Sequence, residues 1–278
     1  MMTRTALRGL LLTTCSLSLT VFYLLPVYWM LNTSLKPANQ IFLNPPGFVP
    51  DPPTLNSYQD AVFSNPDIVQ GLINSGIIAV GTTILTVAIA VPAAYGLARF
   101  KVRFASAILL LFLVVQMVPS VNLALPMYAL FTKFGLVDTY PGLIVANAAL
   151  TVPMCIVIMR PYFLSVPDDI IDAAKSDGCN AFTAFLRIAV PVSVPGITTI
   201  AALSFIGGWG EYVLGLSLTS NETKQPVSVL LAGLSSHLGT EWNNVMALSV
   251  VMALPMIALF VFLQRYIVGG LTEGSTKS

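Results

Sequence analysis

Six stretches of the chain, residues 9–35, 68–98, 104–132, 139–159, 188–210 and 242–264, contain no Asp, Glu, Lys or Arg. Each is at least as long as the roughly 20 apolar residues that a helix needs to cross the hydrocarbon core of a bilayer. Inside lipid a segment must satisfy its own backbone N–H and C=O groups, so each stretch reads as an α-helix. Charged residues make up 9% of the chain and hydrophobic residues 56%, whereas a soluble domain carries about 25% charge. A water-facing fold of 278 residues could not be covered with so few charges. The fold class expected is an all-α polytopic membrane protein with six transmembrane helices. They fall at about 9–35, 70–98, 105–131, 140–160, 190–211 and 244–265, in a single domain over 1–278. The first run far exceeds the roughly 7–15 apolar residues of a cleavable signal peptide, so it reads as a retained anchor.

The cations orient the bundle. With the N-terminus inside, the inner segments hold ten of the 13 Lys and Arg residues: Arg4, Arg8, Arg99, Lys101, Arg103, Arg160, Lys175, Arg187, Arg265 and Lys277. The outer segments hold three: Lys36, Lys133 and Lys224. This positive-inside bias places both termini in the cytoplasm of a bacterial plasma (inner) membrane. A net charge of +1 offers no field that would recruit nucleic acid. Cys15, Cys155 and Cys179 lie in or beside apolar stretches without metal-ligand spacing, so they read as buried free thiols. His237 stands alone in an outer loop, which makes it a surface residue.

Three connections are long. The first outer loop, about 36–67, is rich in proline and favours extended and turn structure. The last, about 212–243, is polar. The inner segment 160–190 is the longest on the cytoplasmic side. Within it, residues 165–195 read SVPDDIIDAAKSDGCNAFTAFLRIAVPVSVP. Ser165 and Asp168 have capping-box spacing, with Asp in place of Glu. Pro167 suits a first helical turn, and Asp168 and Asp169 complement the helix dipole. Ile170, Ala173 and Ala174 fall on one side at helical spacing. The helix should stop near Gly178, which can take a left-handed cap. A second short helix, about 180–189, starts near Asn180 and presents Phe182, Phe185, Leu186 and Ile188 before Pro191 and Pro195. The product is a helix–glycine turn–helix hairpin on the cytoplasmic face. Without a partner it would be an amphipathic interfacial helix.

The run DAAKSDG, Asp172 to Gly178, followed by IAVP, Ile188 to Pro191, resembles the EAA loop of ABC importer permeases. That signature has a Glu-Ala-Ala triplet, a Gly after a short spacer and a hydrophobic–x–Leu–Pro ending. Here Asp172 replaces Glu and Val190 replaces Leu. AAYGLARF (Ala93 to Phe100), GLVDTY (Gly135 to Tyr140) and GWGEY (Gly208 to Tyr212) resemble carbohydrate permeases of the maltose and trehalose type. The similarity covers nearly the whole chain, and within the family it points toward the trehalose importers of actinobacteria. The resemblance implies a permease subunit that moves a di- or oligosaccharide by alternating access. Its partners would be a second permease, a pair of ABC ATPase subunits, an extracytoplasmic sugar-binding (lipo)protein and the lipid bilayer. The loop 165–191 would be the coupling helix that docks on the ATPase, through Asp168, Asp169, Asp172, Ala173, Ala174, Asp177, Gly178, Phe182, Phe185 and Pro191. The family also implies that the last outer loop, about Ser220, Asn221, Glu222, Thr223, Lys224 and Gln225, contacts the binding protein.

No nucleophile–base pair, metal set or Gly-rich phosphate loop is present. The chain is therefore expected to bind no cofactor or metal and to catalyse nothing, with ATP and Mg held by the ATPase partner. The path should be lined by polar and broken-helix positions. The third span carries Gln116, Pro119, Ser120, Asn122 and Pro126, and Asn74 and Asn147 lie in spans two and four. Freed carbonyls are tolerated where they face protein or a cavity, although interhelical hydrogen bonds are an equal use for buried amides. Glu211, between Trp209 and Tyr212, reads either as functional or as an interface anchor. A secondary transporter would carry ionisable residues in mid-span and internal repeats; neither is seen. A membrane enzyme would need clustered acids or histidines. An importer of glycerol phosphate would favour basic groups in its path.

Overall fold

In the computed structural model, residues 4–100, 102–236 and 239–273 are described; Lys101, His237 and Lys277 lie outside them. The helices are α1 (Arg4–Ser34), α2 (Pro66–Arg99), α3 (Ala105–Val115), α4 (Ser120–Lys133), α5 (Tyr140–Leu164) and α6 (Asp168–Ser176). They continue as α7 (Ala181–Val192), α8 (Val194–Gly210), α9 (Val213–Leu218), α10 (Val227–Gly233) and α11 (Trp242–Glu273). Short turns of helix occupy the first outer loop, as its prolines require. A two-residue bridge pairs Ser235 and Ser236 with Gly239 and Thr240. Helices α1, α2, α5 and α11 are each long and apolar enough to span a membrane. The pairs α3–α4 and α7–α8 reach that length only together, and they bend by 97° and 78°. The first bend falls at Gln116–Pro119, where Pro119 lacks the N–H that would continue the ladder. The second falls at Ser193, between Pro191 and Pro195.

The chain divides into two compact units. In one, residues 1–69 and 231–254, the first outer loop folds over the end of α1. The Tyr28 hydroxyl donates to Phe48 O and the Lys36 ammonium to Gly47 O. The Trp29 and Phe48 rings meet edge to face at 5.9 Å. The apolar side chains from Leu10 to Leu25 are exposed on every side of α1, as on a helix whose solvent is hydrocarbon. Cys15 is consequently exposed rather than buried.

In the other unit, residues 70–230 and 255–278, α8 packs chiefly on α5. One core joins Ala90, Val91, Ala94 and Tyr95 of α2 to Cys155, Ile156, Met159 and Phe163 of α5, Ala189, and Ile200 of α8. A second joins Ile78 to Phe131, Leu143, Ala146, Leu214 and Leu218. Small residues let the helices close. A Cβ on Gly208 would stand 3.0 Å from the Ala79 Cα, and one on Gly196 would strike the Tyr162 ring at 2.5 Å. Such contacts are the means by which helices associate where water supplies no drive.

Candidate functional site

The inner hairpin forms as its residues require, with two differences. Gly178 has φ +87°, and the Cys179 N–H bonds Ala174 O at 2.9 Å. This is a Schellman closure, with the glycine in the one backbone region where a Cβ is strained. Asn180 caps α7, its Oδ1 accepting from the Thr183 N–H at 2.8 Å. Ser165, however, does not cap α6. Helix α5 runs on to Leu164, so Ser165 closes that helix instead, and its hydroxyl donates to Tyr162 O at 2.8 Å. The buried stripe of α6 is Ile171 and Ala174, one turn apart beside buried Val166, while Ile170 and Ala173 face outward.

The two aromatics of the hairpin part company. Phe185 is half-buried, its ring 4.8 Å from that of Tyr95 and 6.3 Å from that of Phe163. Phe182 is 68% exposed, and with Ile170 and Leu186 it leaves apolar side chains uncovered. Asp168, Asp169, Asp172, Asp177 and Pro191 are exposed. The Asp168 carboxylate accepts from the Arg99 guanidinium, which also donates to Val166 O. Arg160 Nε donates to Leu97 O at 3.2 Å. Arg99, an orientation charge on sequence grounds, thus fixes the first turn of α6 to the end of α2. Only its place at the end of a span, four residues after Tyr95 and so on the same helix face, could have drawn attention to it.

The outer segment 212–230 is not a free loop. Its helix α9 packs on α4 and α5, and Leu214, Leu218, Val227 and Val229 are buried. Glu211 Oε2 accepts from the Leu214 N–H at 2.7 Å, capping α9. Asp138, held at φ +58°, accepts from the Ser220 and Asn221 N–H groups at 2.6 and 2.8 Å. Asn74 is fully buried. Its Nδ2 donates to Thr223 O at 3.1 Å and to Gln225 O at 2.8 Å. Its Oδ1 accepts from the Tyr140 hydroxyl at 2.7 Å and from Gln70 at 2.9 Å. Ser75 Oγ accepts from the Val227 N–H at 3.0 Å. The Lys224 ammonium lies 4.0 Å from the Tyr140 ring centroid. The GLVDTY motif is therefore a docking turn: Asp138 takes the outer segment, and Thr139 caps α5 by accepting from the Gly142 N–H at 3.1 Å.

Residues 87–272 match the family of binding-protein-dependent transport system inner membrane components. The chain belongs to that family. It is 34% identical, over 91% of its length and 89% of the relative's, to the sulfoquinovosyl glycerol transport system permease protein of Agrobacterium fabrum. It is 33% identical to the trehalose transport system permease protein of Mycobacterium tuberculosis, over 92% and 93% of the two chains. Its fold matches that of a bacterial ABC transporter involved in the import of the acidic polysaccharide alginate. That match has a TM-score of 0.80 at 19% identity and covers 96% of this chain and 99% of the other. As a member of the family this multi-pass inner-membrane permease is a transport subunit and not an enzyme.

The polar residues of the permease's spans are spread over different environments. Gln116 and Asn122 are exposed and Ser120 half-buried at the α3–α4 bend. Gln116 Nε2 donates to Leu150 O at 2.6 Å, tying the bend to α5. A shallow cleft beside it is lined by Val121, Ala124, Leu125, Tyr128 and Ser217. Asn147 is buried, and its Nδ2 donates to Leu143 O of its own helix at 2.8 Å. Asn74 is committed to the outer segment. Among the described residues no group of three or more metal-ligating side chains occurs.

Proposed function

We propose that this permease is one of the two transmembrane subunits of an ATP-driven, binding-protein-dependent importer for a sugar, and that its cargo is a di- or oligosaccharide of the trehalose or maltose kind. The observation that carries the coupling role is the uncovered apolar face of the hairpin. Ile170, Phe182 and Leu186 are exposed on a segment whose backbone is capped at both turns, the arrangement of a preformed docking surface. The ATPase pair, which would hold ATP and Mg, takes this face in a cleft, with Asp168, Asp169, Asp172 and Asp177 at its rim. Relatives named for trehalose, arabinooligosaccharide and sulfoquinovosyl glycerol transport support a carbohydrate cargo. The charge-free spans suit a neutral one. The path runs by the α3–α4 bend, past Gln116, Ser120 and Asn122, and both termini lie in the cytoplasm. ATP and the loaded binding protein favour the outward-facing state through their differential affinity for it. The binding protein meets the outer segment at Ser220–Gln225.

The test is reconstitution of the chain with its co-expressed permease, ATPase and binding-protein partners in liposomes. ATP hydrolysis should rise when the binding protein is loaded with a sugar, and should not rise with glycerol phosphate. Uptake that proceeds without ATP, or a folded chain that recruits no ATPase subunit, would overturn the proposal.

A further inference from the structure

Helix α2 has 34 residues, which at 1.5 Å per residue makes it about 51 Å long. The hydrocarbon core is about 30 Å thick, so a helix of this length overhangs it. Its C-terminal part holds both arms of the hairpin. Arg99 donates to Asp168 and Val166 of the first arm, and the Tyr95 ring packs at a tilt against that of Phe185 of the second. Its N-terminal part holds the outer segment at three backbone points, Thr223 O and Gln225 O through Asn74 and the Val227 N–H through Ser75. Asn74 and Arg99 stand 25 residues apart, about 38 Å along the axis. Between them the helix is continuous, with one rung of its hydrogen-bond ladder missing at Pro92, which has no N–H to donate to Ala88 O.

The hairpin's two covalent connections are less direct. Toward α8 the chain bends by 78° at Ser193. Toward α5 it passes through the non-helical Ser165–Pro167, although at the far end of α5 the outer segment is held directly by Asp138 and by Tyr140 through Asn74 and Lys224. Resting on the coupling role proposed above, we infer that α2 is the rod that transmits movement of the hairpin to the outer segment. Arg99 and Asn74 are the positioning residues at its two ends. A link in series has a signature that independent sites lack: once one end is cut, cutting the other changes nothing further.

The complete importer is reconstituted with Arg99→Gln, with Asn74→Ala and with both. The ratio of ATP hydrolysis with sugar-loaded binding protein to hydrolysis without it is measured for each, together with the thermal stability of each complex. Each single variant should lower the ratio by about five-fold or more, and the double variant should fall no further than the worse single. Arg99→Lys, which keeps the charge and loses the two-point fork, should retain part of the ratio. Should Asn74→Ala fail to assemble, Ser75→Ala removes one of the three outer points and takes its place in the cycle. Single effects that multiply in the double variant would overturn the rod, because distant uncoupled sites behave additively. So would a lowered stability with the ratio intact. If the wild-type complex shows no stimulation, the importer reading itself fails and the rod falls with it.

Discussion

The inner hairpin and the outer segment 212–230 are both polar connections between spans, yet they are built on opposite plans. The hairpin closes its turns locally, through Gly178, Asn180 and hydrogen bonds within five residues, takes one long-range bond at its entry from Arg99 to Val166 O, and turns Ile170, Phe182 and Leu186 outward. The outer segment turns its apolar side chains inward and closes its backbone through residues far away in sequence. Asn74 reaches it across 149 and 151 residues and Asp138 across 82 and 83. A surface that must bind and release a partner needs its own internal order and an exposed apolar patch. A segment that must keep its place within a bundle needs satisfied polar groups in a low-dielectric setting. The difference teaches that exposure of charge along a chain does not tell an element ordered from within from one ordered by the bundle. Where the backbone hydrogen bonds go does.

The strongest way to break this contrast is to charge the hairpin's exposed face. Phe182→Glu should weaken ATPase binding about 100-fold, near 3 kcal/mol, as loss of a central apolar anchor does, while the thermal stability of the isolated permease stays unchanged. Co-purification titrated against ATPase concentration, beside a melting curve in detergent, checks both halves. The next largest effect belongs to the other region and has the reverse form. Asn74→Leu leaves Thr223 O, Gln225 O and the Tyr140 hydroxyl without a partner and should lower permease stability by about 2–3 kcal/mol. Trypsin should then cut after Lys224 far faster than in the wild type, while ATPase binding holds.

The sequence shows the spans and the hairpin because each rests on a local signal. Uncharged runs set the six crossings, and a glycine followed by Asn180 sets the turn and the second cap. Proline at 119 announces a break in the third span. The 97° angle is not announced, since packing of α4 against α9 fixes it. Ser165 misleads because its spacing to Asp168 is right for a cap, but α5 runs far enough to use that hydroxyl first. The outer segment was the least legible. VLGLSL is six residues long, too short to read as a span, and its burial depends on partners that sequence distance hides. Asn74 reads equally well as a path residue or an interhelical bond, and only the fold shows that all its capacity goes to Thr223, Gln225, Tyr140 and Gln70.

The two smaller predictions sharpen the claim that the hairpin is ordered from within. A Cβ on Gly178 would meet nothing within 4 Å, so Gly178→Val acts through its φ of +87° alone. It should cost about 1–2 kcal/mol in hairpin order, read as weaker ATPase binding with normal membrane insertion. Gly178→Asn, which tolerates that region, should restore most of the affinity.

The smallest effect is expected at the one described ion pair that ties the hairpin to the rest of the unit. The Asp168 side chain is 84% exposed, and water screens its attraction to Arg99. Asp168→Asn should therefore change permease stability by less than about 1 kcal/mol, and the difference should vanish at high ionic strength. Arg99 keeps Val166 O as its partner in that variant, so the entry to α6 stays in place. A loss as large as that of Asn74→Leu would mean that the hairpin, too, hangs on a long-range polar bond. The two regions would then share one plan, and the exposed apolar face would have to be ordered by its partner rather than offered to it.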